Sequence, residues 1–483
     1  MFRIIYKKEL LENIQNYRFL MALVICLVVI PLGFTVSQKD YVDRRQVYDD
    51  TVRDDAELRK TVQDFLVNGG MAFRPPAALG LLSSGVEMVL PNAVETRGFV
   101  SEEGAQVQFN NSRRLDNPFT SLFGRLDLAF IVTTVLAVLV MIFAFNAVVG
   151  EKERRTLAQV MANAVPRPVV IAAKMAAGGT LLAAAFLSGV LAGVLLTTAL
   201  GIDPFREAGA WAPFGIGVGA SLVFLMAFYG FGLLVSSLSR SSVSAMVTLL
   251  SCWVALAMIV PKGSVVVAKL VRPIKSQQVV ELEKSQVRRQ TERDIDASVA
   301  KLSQTMPGIK DMSSDDYFKQ RKAKNPVIEA YEKEQARLRS EFTARLNADL
   351  DRIDAAFDAE RAAQAAAART IARLSPVSCL VNALTEVAGT GFAEDESWRE
   401  ARSRYKQIID RDIASKAQMT QFKDFSYGGG NLPRKAPAPK LPAVPVPLEK
   451  RMAAVWVDLV LLAIYGILFF AAAYVAFLRY DVR

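Results

Sequence analysis

Asp127, Lys174 and Asp458 are ionisable residues inside, or at the edge of, long apolar runs. A charge within a bilayer is costly, so such a residue pairs, lines a wet path or relays protons. Asp127 opens one run and Lys174 lies early in the next, both close enough to an edge to reach water. Asp458 lies roughly two helical turns into the last run, beside Trp456, a residue type that marks the membrane interface. Asp458 and Asp127 are therefore the candidates for lining a substrate path. Little else in the chain could do chemistry. It has no histidine, which removes Ser-His-Asp triads, HExxH zinc sites and mixed Cys/His zinc sites. Cys26, Cys252 and Cys379 are too scattered for a metal cluster or a disulfide framework. GxxxxGK[ST], GxSxG and CxxC are all absent. The acidic runs DDTVRDD (49–55) and SSDDY (313–317) fall in charged helical stretches and read as solvated faces. No enzyme is expected, and no cofactor in this chain.

The elements that must position those charges are membrane spans. The 483 residues are 52% hydrophobic and 22% charged, and the two classes are segregated into alternating blocks, as in a membrane protein carrying soluble domains. A spanning helix needs about 20 apolar residues. Six segments qualify: 19–37, 127–149, 169–200, 212–238, 243–261 and 452–478. The fourth and fifth are separated only by SSLSR, and the third is long enough to tilt or overshoot. The first has the basic front of a secretory signal peptide (Arg3, Lys7, Lys8), but its apolar core is longer and no A-x-A site follows, so a retained helix is expected. The net charge of +10 flanks spans and calls for no nucleic acid. Arg3, Lys7, Lys8, Arg18, Lys152, Arg154, Arg155, Arg167, Arg240, Arg479 and Arg483 gather on one side, against GIDPFREAGAW on the other. Both termini are then cytoplasmic. Residues 38–126 and 262–451 face outward.

Residues 1–18 read as a helix on the inner membrane surface, with Phe2, Ile5, Leu10, Ile14 and Tyr17 on one stripe. The first span is expected to continue outward as a helix through 39–66, followed by a compact, irregular stretch with Pro-Pro and Asn-Pro loops. In the second outer domain Leu338, Phe342, Leu346, Leu350, Ile353 and Phe357 recur at helical spacing. Residues 277–306 form a shorter partner, with 306–316 as the breaker. An antiparallel hairpin and a compact bundle both fit. The broken apolar stretch 374–392 is too short to span, and either lies on the outer surface or re-enters the membrane. A Pro-rich tether over 425–448 leads to the last span. The fold class is an all-α membrane protein with six transmembrane helices and a mainly helical extracytoplasmic domain between the fifth and sixth.

Between the second and third spans stands 150–168, GEKERRTLAQVMANAVPRP, far longer than a connector needs. In FNAVVGEKERRTLAQVMANAVPRPVVIAAK a GEKE-x-x-TL run leads to a proline-arginine pair and a basic start to the next span. This resembles the cytoplasmic loop of ABC-2-type permeases, the membrane subunits of ATP-driven exporters. A KEL-containing N-terminal helix, six spans and the broken stretch before the last agree. RPPAALGLLSSGVEMVL, NPFTSLFGRLDLAFIV and RLSPVSCLVNALTEVAGTGF look like the subgroup with large outer domains. Arg155 departs from the glycine that many relatives carry before TL, and is expected to stiffen the helix start.

The resemblance implies a coupling helix docked in a separate ATPase subunit, which binds the ATP and Mg. Its residues would be Glu151, Lys152, Glu153, Arg154, Arg155, Thr156 and Leu157, with the charges meeting complementary charges and Leu157 filling an apolar socket. It also implies a second permease chain, identical or not, in a bacterial inner membrane. Further partners are membrane lipid and, through the outer domain, a periplasmic protein. Two other readings stay open: a passive membrane scaffold, and a mechanotransmitter whose outer helices act on an external protein.

Overall fold

A computed structural model describes the chain except residues 16, 59–69, 88–92, 102–103, 113–125, 163–165, 207–208, 311, 324, 420–445 and 480–483. Most of the expected tether, 425–448, therefore lies outside the described residues. In order, the elements are helices α1 (Phe2–Gln15) and α2 (Tyr17–Leu58), strands β1 (Gly70–Phe73), β2 (Ala93–Ser101) and β3 (Gly104–Ser112), then α3 (Leu128–Glu153) and α4 (Thr156–Ala162). Next come α5 (Arg167–Ala199), α6 (Trp211–Leu238), α7 (Ser242–Val271), α8 (Gln277–Thr305), α9 (Ser314–Lys322) and α10 (Pro326–Ala372). The chain closes with α11 (Pro376–Ala388), α12 (Phe392–Met419) and α13 (Leu448–Arg479). Helices α2, α3, α5, α6, α7 and α13 are long and apolar enough to cross a membrane. Helices suit that solvent because they satisfy every backbone polar group internally.

The described residues divide into two compact units, Met1–Pro261 with Ala372–Arg483, and Lys262–Ile371. In the first, packing rests on small residues that let helices approach, because lipid supplies no hydrophobic drive between them. A Cβ on Gly189 of α5 would stand 2.6 Å from the Cys26 carbonyl oxygen of α2, and one on Gly193 would stand 2.7 Å from the Phe34 ring. These two helices run in parallel. Likewise a Cβ on Gly232 of α6 would meet Ala144 of α3 at 2.2 Å. Between α6 and α7 the chain turns in three residues, and Ser241 and Ser244 close a capping box that starts α7.

The end of the bundle away from α1 is closed by a loop that sequence reading left as irregular. Leu79, Leu81 and Leu82 are buried in the same core as the spans. Loop backbone in such a place must find partners. The Leu81 and Leu82 carbonyls accept from the amides of Leu128 and Ala129, both at 2.9 Å. Ser83 meets Thr385 of α11 at 2.9 Å, and Thr390 donates to the Ser83 carbonyl at 2.9 Å. Just outside, Arg44 of α2 pairs with Glu87 at 2.7 Å. The loop is thus bonded to α2, α3 and α11. Beyond it is a small antiparallel sheet in the order β1-β2-β3, which the irregular reading of this stretch did not include. AVETRGFVS and GAQVQFNNS carry the alternation and near-contiguous spacing of a hairpin. It is a minor addition to an all-α membrane protein.

Within Lys262–Ile371 the chain makes an antiparallel hairpin. Lys284 of α8 pairs with Asp354 of α10, and Gln364 donates to the Arg272 carbonyl at 2.6 Å. At the opposite end Ile309, Ile328 and Tyr331 form a small core with Leu302, Met306 and Tyr317. Glu332 accepts from Tyr317 at 3.0 Å and pairs with Arg321 at 2.9 Å, which fastens α9 across the turn.

Gly189→Leu should therefore destabilise the protein by about 1–3 kcal/mol through overpacking. Gly219→Leu should be near neutral, because a Cβ there meets nothing within 4 Å. Thermal unfolding of the two variants in detergent checks the contrast.

Candidate functional site

The loop between α3 and α5 is two short helical pieces joined at a corner. Helix α3 ends at Glu153, Arg154 and Arg155 form the turn, and α4 begins at Thr156. Among the described residues Arg155 is the one non-glycine with positive φ, at 57°. That backbone costs a residue with a Cβ about 1–2 kcal/mol. The glycine carried here by the permeases that this loop resembles would adopt it freely. Arg155 does not stiffen a helix start, as expected from sequence; it sits in a break between two helices, where the left-handed residue sets the corner.

Most of the expected docking residues face their own protein. Lys152 donates to the Ser237 carbonyl of α6. Glu153 accepts from the Ser242 amide at 2.7 Å and its hydroxyl at 2.6 Å, and so caps α7 while staying exposed. Leu157 is 2% exposed and packs into the core of the bundle, so it has no apolar surface left for a partner's socket; this corrects the role given to it. Arg154, Arg155 and Thr156 are the members of the set that are exposed without an anchoring side-chain bond to α6 or α7.

Glu151 belongs to a buried charge cluster. Lys174 of α5 is 3% exposed, although its sequence position suggested access to water. Its Nζ lies 2.9 Å from Glu151 Oε1 and 3.0 Å from Glu9 Oε1 of α1. Lys8 completes the set, 3.5 Å from Glu151 and 3.6 Å from Glu9. Two cations then balance two carboxylates, the arrangement that makes buried charge tolerable. Helix α1 turns Glu9 inward, whereas Phe2, Ile14 and Tyr17 of its supposed apolar stripe are exposed.

At the other end Asp127 is an N-cap. It accepts from the Phe130 amide at 2.9 Å, the Ser84 amide at 2.8 Å and the Ser84 hydroxyl at 3.0 Å. Those bonds start α3 and fix the closing loop. Asp458 is 0% exposed and takes a fork from Arg373, with Nε at 2.9 Å and Nη2 at 3.0 Å. Asn382 adds a donor at 3.4 Å. Neither carboxylate lines an open path here, contrary to the expectation for them. Arg373 follows α10 directly and precedes α11. Its carbonyl accepts from Tyr465 at 3.0 Å, and Ser375 donates to the Leu256 carbonyl at 2.6 Å. Asp458 raises the guanidinium pKa further through that fork. Helix α11 is buried along nearly its whole length, so the broken stretch is set into the bundle rather than laid on its surface. Burial pushes the Cys379 thiol up to about 12, which leaves it unreactive. Sequence reading missed Arg373, Glu9 and Lys8 as partners. The signal was the requirement that a charge in a span be paired, and Arg373 stands immediately before the apolar stretch 374–392.

Residues 3–482 match the family described as ABC-2 family transporter protein. The chain belongs to that family, and is a multi-pass membrane protein of the kind that serves as permease in an ABC transporter and partners an ATPase subunit. No curated protein matches it.

Two outcomes are expected. Asp458→Asn leaves Arg373 without its counter-charge and should destabilise by about 3–5 kcal/mol, whereas Asp458→Leu combined with Arg373→Met should recover most of the loss. Unfolding in detergent measures both. Arg155→Gly should stabilise the corner by roughly 1 kcal/mol, seen as slower amide exchange around 150–160.

Proposed function

We propose that this chain is the permease of an ATP-driven exporter, and that a separate ATPase subunit grips it at the corner formed by Arg154, Arg155 and Thr156. The observation that carries this reading is the division of the loop. Its inner side is tied to α5, α6 and α7 through Glu151, Lys152 and Glu153, and its outer side presents two guanidinium groups. An exposed element fixed from within can transmit a push without folding away. Guanidinium forks fit carboxylates bidentately, so the facing surface of the ATPase carries Asp or Glu. ATP and Mg bind on that subunit. Its closure biases the spans between inward-open and outward-open states. Two permease chains make one pathway in a bacterial inner membrane, with both termini and this loop in the cytoplasm.

A second reading has its own support. Helix α10 runs unbroken to Ala372, and the next residue is the one clamped to Asp458 of α13. A chain that moves α13 would pull on the base of α10, so the hairpin acts on a periplasmic protein instead of cargo.

Co-purification from native membranes tests the first reading, with the ATPase as the expected companion. Arg154→Glu with Arg155→Glu should reduce its yield by about tenfold or more, since each tenfold is about 1.4 kcal/mol. Reversal at Glu153 is a poorer probe, because it also uncaps α7. ATP hydrolysis in liposomes that is stimulated by cargo favours export. Hydrolysis stimulated only by a soluble periplasmic protein favours the second reading. A complex without a nucleotide hydrolase refutes both.

A further inference from the structure

We propose that Lys174 is a positioning residue through which the loop corner and α1 move as one body, so that α1 is a second moving part of the coupling apparatus. The proposal rests on the reading that an ATPase engages Arg154–Thr156.

Three observations carry it. First, one buried ammonium serves carboxylates from two elements, Glu9 of α1 at 3.0 Å and Glu151 of α3 at 2.9 Å. Losing either contact during motion takes one of its two carboxylates from the buried ammonium and leaves that carboxylate only the half-exposed Lys8, at 3.5–3.6 Å, so both carboxylates follow the lysine. Second, Lys174 is a stiff reference point. The Tyr229 hydroxyl of α6 lies 3.4 Å from the Lys174 carbonyl, and it fits because Gly178 has no Cβ, which would stand 2.1 Å from it. Third, Glu151 lies one helical turn before Arg154, so a load at the corner reaches it along a single rigid turn. Beyond the charges α1 packs along α5: Ile5 is partly buried against the core, and the Tyr6 hydroxyl donates to Thr180 at 3.2 Å. Ile4, Leu11 and Ile14 point away from the bundle, so that side of α1 is free to slide.

The full chain with its co-purified ATPase in liposomes provides the test. Cys26, Cys252 and Cys379 are replaced by serine or alanine, and Ile4→Cys carries an environment-sensitive fluorophore. ATP, Mg and vanadate should shift its emission. Lys174→Met should reduce the shift by roughly fivefold or more while the ATPase still co-purifies, and Lys174→Arg should restore it. A shift of undiminished size in Lys174→Met overturns the proposal. So does the absence of any shift in the parent complex with ATPase bound, an outcome that leaves the docking reading intact. If no ATPase binds the parent, that reading fails and the proposal with it. Should Lys174→Met not fold, Glu9→Ala reports the same link, since it spares the Lys174–Glu151 pair. An undiminished shift there is equally fatal.

Discussion

An ammonium group buried between two carboxylates sets the geometry of one end of this protein. Lys174 cannot recruit water, so its charge must be answered by protein, and the answer comes from two different helices. This fixes where α1 lies, because Glu9 pairs there with the buried Lys174 and with the half-exposed Lys8. It also fixes how the loop leaves α3, because Glu151 must point at α5. The corner at Arg154 and Arg155 comes directly after that turn. A left-handed residue is the shortest break available.

The far end obeys the same constraint with different chemistry. There the loop over Leu79–Ser84 enters the core without regular structure, and its carbonyls borrow amides from the first turn of α3. Asp127 and Thr390 supply the remaining polar contacts. Asp458 takes a guanidinium fork, which satisfies both carboxylate oxygens at once in a way that a lysine could not. Each device exists because lipid offers no hydrogen bonds. Together they make the Leu79–Ser84 loop and α11 structural parts of the bundle rather than appendages.

What could be read from the sequence divides along the same line. The six spans were legible because hydropathy over about 20 residues is a local property. The helical face of Leu338–Phe357 was legible for the same reason, though the choice between hairpin and bundle was not, since it depends on Lys284 finding Asp354. Asp458 stood out as an anomaly, but its partner lies 85 residues earlier in the chain, and no spacing rule covers that distance. The loop at 150–168 was legible through its motif. Its inward and outward faces were not, because Lys152 and Glu153 are bonded to residues on α6 and α7 that periodicity within the loop does not see. The outward place of Leu157 came only from the resemblance, which implies a socket for it in the ATPase; burial in its own core is the commoner fate of leucine. The three-stranded sheet was not legible, because Pro75, Pro76, Pro91 and Asn92 break up the stretch that carries its strands.

The distribution of bond types suggests how such a bundle can move. Between its two ends the helices touch through glycines and alkyl groups, and those contacts weaken gradually as surfaces slide. The charge clusters behave otherwise. A forked ion pair in an apolar site is either made or broken, and breaking it exposes the full cost of both charges. Displacement should then concentrate where packing is apolar and stop at Lys174 and Asp458, which hold their helices in register. On the proposed docking, a load on the Arg154 corner would enter at one such fixed point. If it left at the other, Arg373 is where it would emerge, directly after α10, the longest helix among the described residues.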